Sequence, residues 1–150
     1  MAVRVQTAPF DISGEVAALT GARTDIGAVV TFTGTVRADE GGRPLTSLTL
    51  EHYPGMTESE LARVEAEAHG RWPLLASLII HRVGELKPGE PIVLVVTVSA
   101  HRRAAFEAAD FLMDYLKTRA PFWKQVSFAD GTTSWVDAKA LDDEASARWN

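Results

Sequence analysis

Cysteine is missing from all 150 residues of the chain. Disulfides, thiolate metal sites and cysteine nucleophiles are thereby excluded, and any sulfur chemistry must use sulfur brought by a partner. Long apolar runs are missing too: none approaches the roughly 20 residues needed to span a bilayer. The opening Met-Ala-Val-Arg-Val-Gln-Thr lacks the apolar core of a signal peptide, so the expected location is cytoplasmic. Positive charge is in deficit, with 15 Lys and Arg against 20 Asp and Glu and a formal net charge of -5. General affinity for nucleic acid comes mostly from neutralising phosphates and is not expected here. Histidine is sparse as well. His52, His69, His81 and His101 show no HxxxH or related spacing, so no metal site is expected, and His52 reads as a packed or edge residue. A GxSxG nucleophile elbow is also lacking.

What remains is an ordinary globular composition, 46% hydrophobic and 23% charged, in a length that suits one domain over residues 1–150. A chain of this size buries roughly two-thirds of its unfolded surface, enough for a sizeable core. Asp11 or Ser13 caps a short helix running to about Leu19, and Gly21 ends it. Residues 27–37 alternate β-branched side chains as a strand that ends at Arg37. The polar, glycine-rich stretch 38–44 reads as a mobile loop. Residues 45–53 form a second strand. After Pro54-Gly55, Thr57 and Glu60 read as a capping box opening a helix with Leu61, Val64 and Ala68 inward, stopped by Gly70 and Pro73. Glu58, Glu60, Arg63, Glu65 and Glu67 read as its solvated face. Continuous apolar strands over 74–83 and 91–98 are joined by the turn at 87–90. A helix from about His101 to Arg119, capped by Ser99, covers them with Ala105, Ala108, Ala109, Leu112 and Leu116. A hairpin over 126–136 turns at Asp130-Gly131, and a short helix ends near Trp149. The order of elements gives an α+β fold in a single domain.

The stretch from Asp114 to Lys124 gathers Lys117, Arg119 and Lys124 around a helix end, because Pro121 disfavours helical backbone at Ala120 and cannot donate a helix hydrogen bond. Basic residues at a helix C-terminus complement its dipole without any further role. His101, Arg102 and Arg103 are harder to explain, since cations in a first turn oppose that dipole. A lysine beside a second cation, or buried, is disfavoured in its charged form and suited to carrying protons. Lys117 and Lys124 meet that condition if they share a pocket, with Arg37, His101 and Arg102 holding a phosphate or carboxylate. Two other readings stay open. One is a non-catalytic module whose basic pocket captures a partner's C-terminal carboxylate; the other is a phosphate-ester hydrolase, disfavoured for want of a metal site and a nucleophile.

Five segments, taken together, resemble a known family. They are Val29-Val30-Thr31-Phe32-Thr33-Gly34-Thr35-Val36-Arg37, Leu48-Thr49-Leu50-Glu51-His52-Tyr53-Pro54-Gly55-Met56, His81-Arg82-Val83-Gly84-Glu85-Leu86, Ser99-Ala100-His101-Arg102, and the run from Met113 to Lys124. In this order, over nearly the whole chain, they are similar to the large, catalytic subunit of molybdopterin synthase. The resemblance implies an α/β hammerhead-like domain with a mixed, largely antiparallel sheet and packed helices. It implies a sulfurtransferase without a cofactor of its own. Cyclic pyranopterin monophosphate would receive two sulfurs from the thiocarboxylated C-terminus of a small ubiquitin-like sulfur-carrier subunit, giving the molybdopterin dithiolene. It further implies a self-dimer within a heterotetramer, no nucleic acid and no membrane. Residue by residue, Lys117 and Lys124 become the catalytic lysines and Arg37, His101 and Arg102 the substrate-binding groups. Phe32, Met113, Arg119 and Lys139 are further pocket candidates.

Overall fold

The computed structural model of the protein describes residues 1–136, 147 and 149. The chain runs β1 (Ala2–Gln6), α1 (Ile12–Thr20), β2 (Ala28–Thr35), β3 (Asp39–Glu40), β4 (Arg43–His52), α2 (Met56–Arg71), β5 (Leu74–Arg82), β6 (Gly84–Leu86), β7 (Pro91–Ser99), α3 (Arg102–Thr118), β8 (Phe122–Phe128) and β9 (Thr133–Val136). One sheet has the order β1-β5-β7-β2, the other β3-β4-β8-β9 with β6 alongside β4. Among the described residues, only the β1/β5 pair is parallel. This is the mixed, largely antiparallel α+β arrangement expected from the sequence.

Alternation along the strands divides the interior. Ile79, Val93 and Val95 face α2 and α3 and pack with Leu61, Val64, Phe111 and Leu112. Their neighbours Leu78, Ile80, Leu94 and Val96 point to the opposite side, where Val16 and Leu19 of α1 cover them. A β-strand buried on both faces has no polar side, which explains the unbroken apolar runs of β5 and β7. The inner face of the second sheet closes over Leu48, Leu50, Val126 and Phe128 together with Val36, Val83 and Leu86. Phe122 packs against both this group and the helix-covered one, and so marks the seam between the two sheets.

Several local expectations are corrected. Residues 38–44 are not a loose loop: β3 pairs with β4 through a two-residue turn in which Gly41 and Gly42 have φ 59° and 83°. Such a turn matches the right-handed twist of its strands and needs positive φ at both central positions. The α2 helix begins at Met56, because Gly55 at φ 84° already turns the chain, and its N–H donates to Glu58 Oε2 at 3.2 Å. Thr57 is buried and accepts the Tyr53 N–H at 3.1 Å, while Glu60 accepts the Tyr115 hydroxyl at 2.6 Å. The Thr57/Glu60 capping box therefore does not form. Gly70 lies within α2, which ends only where Trp72 takes the extended backbone demanded by Pro73.

Glu65 is not solvated. It is 2% exposed and accepts the Ser77 hydroxyl at 2.6 Å and the Ala2 N–H at 3.1 Å, tying α2 to β5 and β1. At α3 the N-cap position is His101. Ser99 Oγ instead donates to the Pro73 carbonyl at 3.0 Å and accepts the His101 N–H at 3.4 Å. The terminal helix expected near Trp149 falls on residues mostly outside those described.

Candidate active site

The α3 helix returns antiparallel across the first sheet after the short turn at 100–101, fastened by Thr97 Oγ1 donating to the Ala105 carbonyl at 2.6 Å. Its C-terminal end therefore lies over the ends of the strands where His81 opposes Val93 and Thr35 opposes Pro91. Lys117 sits in its last turn, exposed. The backbone then breaks as expected at Ala120-Pro121. The N–H of Phe122 donates to the Ala120 carbonyl at 2.8 Å, and the chain leaves as β8. Lys124, half-buried, follows two residues later, opposite Leu50 and Val136. Period-two alternation puts Lys124 on the same face as Phe122, Val126 and Phe128, the inner face of the second sheet. Lys117 and Lys124 thus approach the seam at Phe122 from its two sides.

Arg37 belongs to this same end of the sheet. The N–H of Val36 donates to the Glu90 carbonyl at 2.9 Å and the Gly89 N–H to the Val36 carbonyl at 2.7 Å, pinning the segment beyond β2. The Arg37 guanidinium is exposed, 3.5 Å from Glu40. Phe32 and Met113 lie on facing elements: Phe32 is 40% exposed on the side of β2 that α3 covers, and Met113 is half-buried against the helix-side core.

His101 and Arg102 stand elsewhere. From Arg102 to Lys117 the helix rises about 22 Å, so the two basic clusters occupy opposite ends of α3. One chain does not bring them together. His101, Arg102 and Arg103 instead line an open cleft of about 450 Å³ with Phe106 and Glu107. Gly27 shapes the approach to it, since a Cβ there would lie 1.9 Å from the Ala100 carbonyl oxygen. Arg119 turns away from the seam into a second cleft of about 180 Å³ between α2 and α3, shared with Arg63, Arg71, Phe111 and Tyr115, with its guanidinium 5.7 Å from the Tyr115 ring. Lys139 lies outside the described residues.

Sequence reasoning passed over His81, weighing it only for metal spacing. It is 8% exposed, and its ring stacks on Phe122 with centroids 3.9 Å apart and planes 18° from parallel. Burial pushes its pKa down to about 4, opposed by the bond to the Arg82 carbonyl and reinforced by the charges of Lys117 and His52. The clue was a polar ring directly after the apolar run Leu78-Ile79-Ile80, in the same strand.

An α+β fold thus carries a lysine on each side of the Ala120-Pro121 break, an arginine at the same strand ends and a second basic cluster one helix-length away. No helix among the described residues is long and apolar enough to cross a membrane. The chain belongs to the family described as MoaE protein, whose model matches residues 5–119. It is 57% identical over 148 residues to the molybdopterin synthase catalytic subunit of Mesorhizobium japonicum, covering 98% of this chain and 92% of that one. Among solved structures it is similar to the molybdopterin biosynthesis MoaE protein from Burkholderia ambifaria, with 51% identity, a TM-score of 0.84 and coverage of 99% and 98% of the two chains. A complex of subunits 1 and 2 of molybdopterin-converting factor from Helicobacter pylori shares the fold, with a TM-score of 0.72 at 20% identity over 92% of this chain and 90% of that one.

Proposed function

We propose that this protein is the catalytic subunit of a cytoplasmic molybdopterin synthase, moving sulfur from the thiocarboxylated C-terminus of a small ubiquitin-like subunit onto cyclic pyranopterin monophosphate. The observation that carries this reading is the position of Lys117 and Lys124 on the two sides of the Ala120-Pro121 break, both beside Phe122. The partner's thiocarboxylate sulfur attacks an oxygen-bearing carbon of the pterin side chain, forming the new C–S bond as that carbon's C–O bond breaks and the departing oxygen takes a proton from a lysine. Water then opens the acyl C–S bond and leaves the partner with an ordinary carboxylate. A second charged partner supplies the second sulfur. The two lysines carry protons and stabilise the negative charge that develops on oxygen during these steps. Arg37 holds the anionic substrate beside them.

The length of α3 extends this reading to two chains. His101 and Arg102 can join the lysines in one pocket only if a second copy of the chain supplies them, which fits a self-dimer at the centre of a heterotetramer. Each pocket then takes its lysines from one protomer and its His101–Arg102 grip from the other.

Lys117→Ala is expected to abolish dithiolene formation in a purified assay with thiocarboxylated partner and pterin, while co-elution with the partner persists. Undiminished turnover would remove its assigned role. Wild-type protein that binds the partner tail without forming product would be a carboxylate-capturing module instead. Mixing inactive Lys117→Ala and Arg102→Ala proteins tests the shared pocket: random exchange restores about a quarter of wild-type turnover if the pocket spans two chains, and none if it lies within one.

A further inference from the structure

Against Phe122, two residues before Lys124 and within reach of the Lys117 charge, lies a buried imidazole that the roles above leave unused. His81 sits near the end of β5 on the face shared with Ser77 and Ile79, which α2 and α3 cover. Its Nδ1 lies 2.8 Å from the Arg82 carbonyl oxygen. A carbonyl only accepts, so Nδ1 carries the hydrogen and the lone pair of the neutral ring is on Nε2. That bond also fixes the plane of the ring. Phe122 lies flat against it, and Phe122 is the first residue after the Ala120-Pro121 break. Lys117 and His52 are both near enough for their charges to act on the ring, so groups from α3 and β4 converge on a side chain of β5.

A leucine would fill this space without the cost of burying a polar ring. What the imidazole adds is orientation: a flat surface, locked to the backbone, against which the start of β8 is seated. We propose that His81 is a positioning residue whose locked, uncharged ring, stacked on Phe122, sets the placement of Lys117 relative to Lys124 across the break. This inference rests on the reading of the lysine pair as the catalytic groups.

The test compares His81→Leu, which keeps the apolar volume without a flat ring, with His81→Phe, which restores the ring. Both are assayed as complexes with the thiocarboxylated partner. Misplaced reacting groups cost about 100-fold in rate, so His81→Leu is expected to lose kcat on that scale while KM for the pterin stays within about twofold of wild type. His81→Phe is expected to recover most of the loss. Independently of turnover, 13C-dimethyl labelling of the lysines is expected to show shifted Lys117 and Lys124 resonances in His81→Leu and near-native ones in His81→Phe. Native kcat in folded His81→Leu overturns the proposal, as does an equal loss in both variants. A wild-type protein that makes no dithiolene sinks the functional reading alone. The lysine resonances still decide the positioning role in that case: unchanged in His81→Leu they overturn it, and shifted they support it.

Discussion

Single side chains carry the sharpest departures from a surface reading of this sequence. Glu65 looks like one charge among five on a wet helix face, yet it sits at the junction of α2, β5 and β1. The burial of Glu65 depends on β5 and β1 arriving from distant parts of the chain, so no local pattern could reveal it. Burial raises its pKa, opposed by the Ser77 hydroxyl and the Ala2 N–H. Its contribution to stability is therefore full below the ordinary carboxyl range and is lost as pH rises through the raised value. Glu65→Ala leaves two polar groups without their acceptor and is expected to cost about 2 kcal/mol in urea unfolding. His81 has the opposite sign. Its pKa, held down to about 4, means the unfolded chain takes up a proton near pH 6.5 that the native ring refuses. Stability is expected to fall by about 3 kcal/mol between pH 6.5 and pH 4, and His81→Phe should remove that slope in urea midpoints measured across the range. Gly27→Ala drives a methyl into the Ala100 carbonyl. It should cost about 2 kcal/mol and displace His101 and Arg102 together.

Among the elements, those with long periodic patterns or a clear turn signal were legible, and β1, β3 and β6 were not. The α3 helix announced itself through its alanine and leucine spacing, and the Ala120-Pro121 break stands where proline chemistry requires it. The strands β3 and β6 span two and three residues, too few for alternation to register. Strand β1 has five residues whose only described ladder partner is β5, more than seventy positions away. The hairpin over 39–44 was misread because a glycine pair signals either slack or a mirror-image turn, and only the pairing of Asp39 with Pro44 decides between them. Replacing Gly42 with valine forces a β-branched residue to positive φ. That is expected to lower the unfolding midpoint and open the β3/β4 pair to amide hydrogen exchange, with α3 unaffected.

At the scale of the whole molecule, Lys117, Lys124 and Arg37 lie toward one end of the first sheet, while His101 and Arg102 stand at the other end of α3. Residues close in a list of basic groups were taken as close in space, and only the direction of α3 across the sheet separates them. If the pocket is shared, specific activity should fall on dilution in step with dissociation of the dimer, followed by sedimentation in the same buffer, and excess small subunit should not restore it. The α3 helix also behaves as a gauge rod. Inserting or deleting one residue between Ala105 and Leu116 would swing Lys117 by about 100° around the helix axis while the apolar stripe is pulled out of register. The chain can thus tolerate changed side chains along the outer face of α3 far more readily than any change in its residue count.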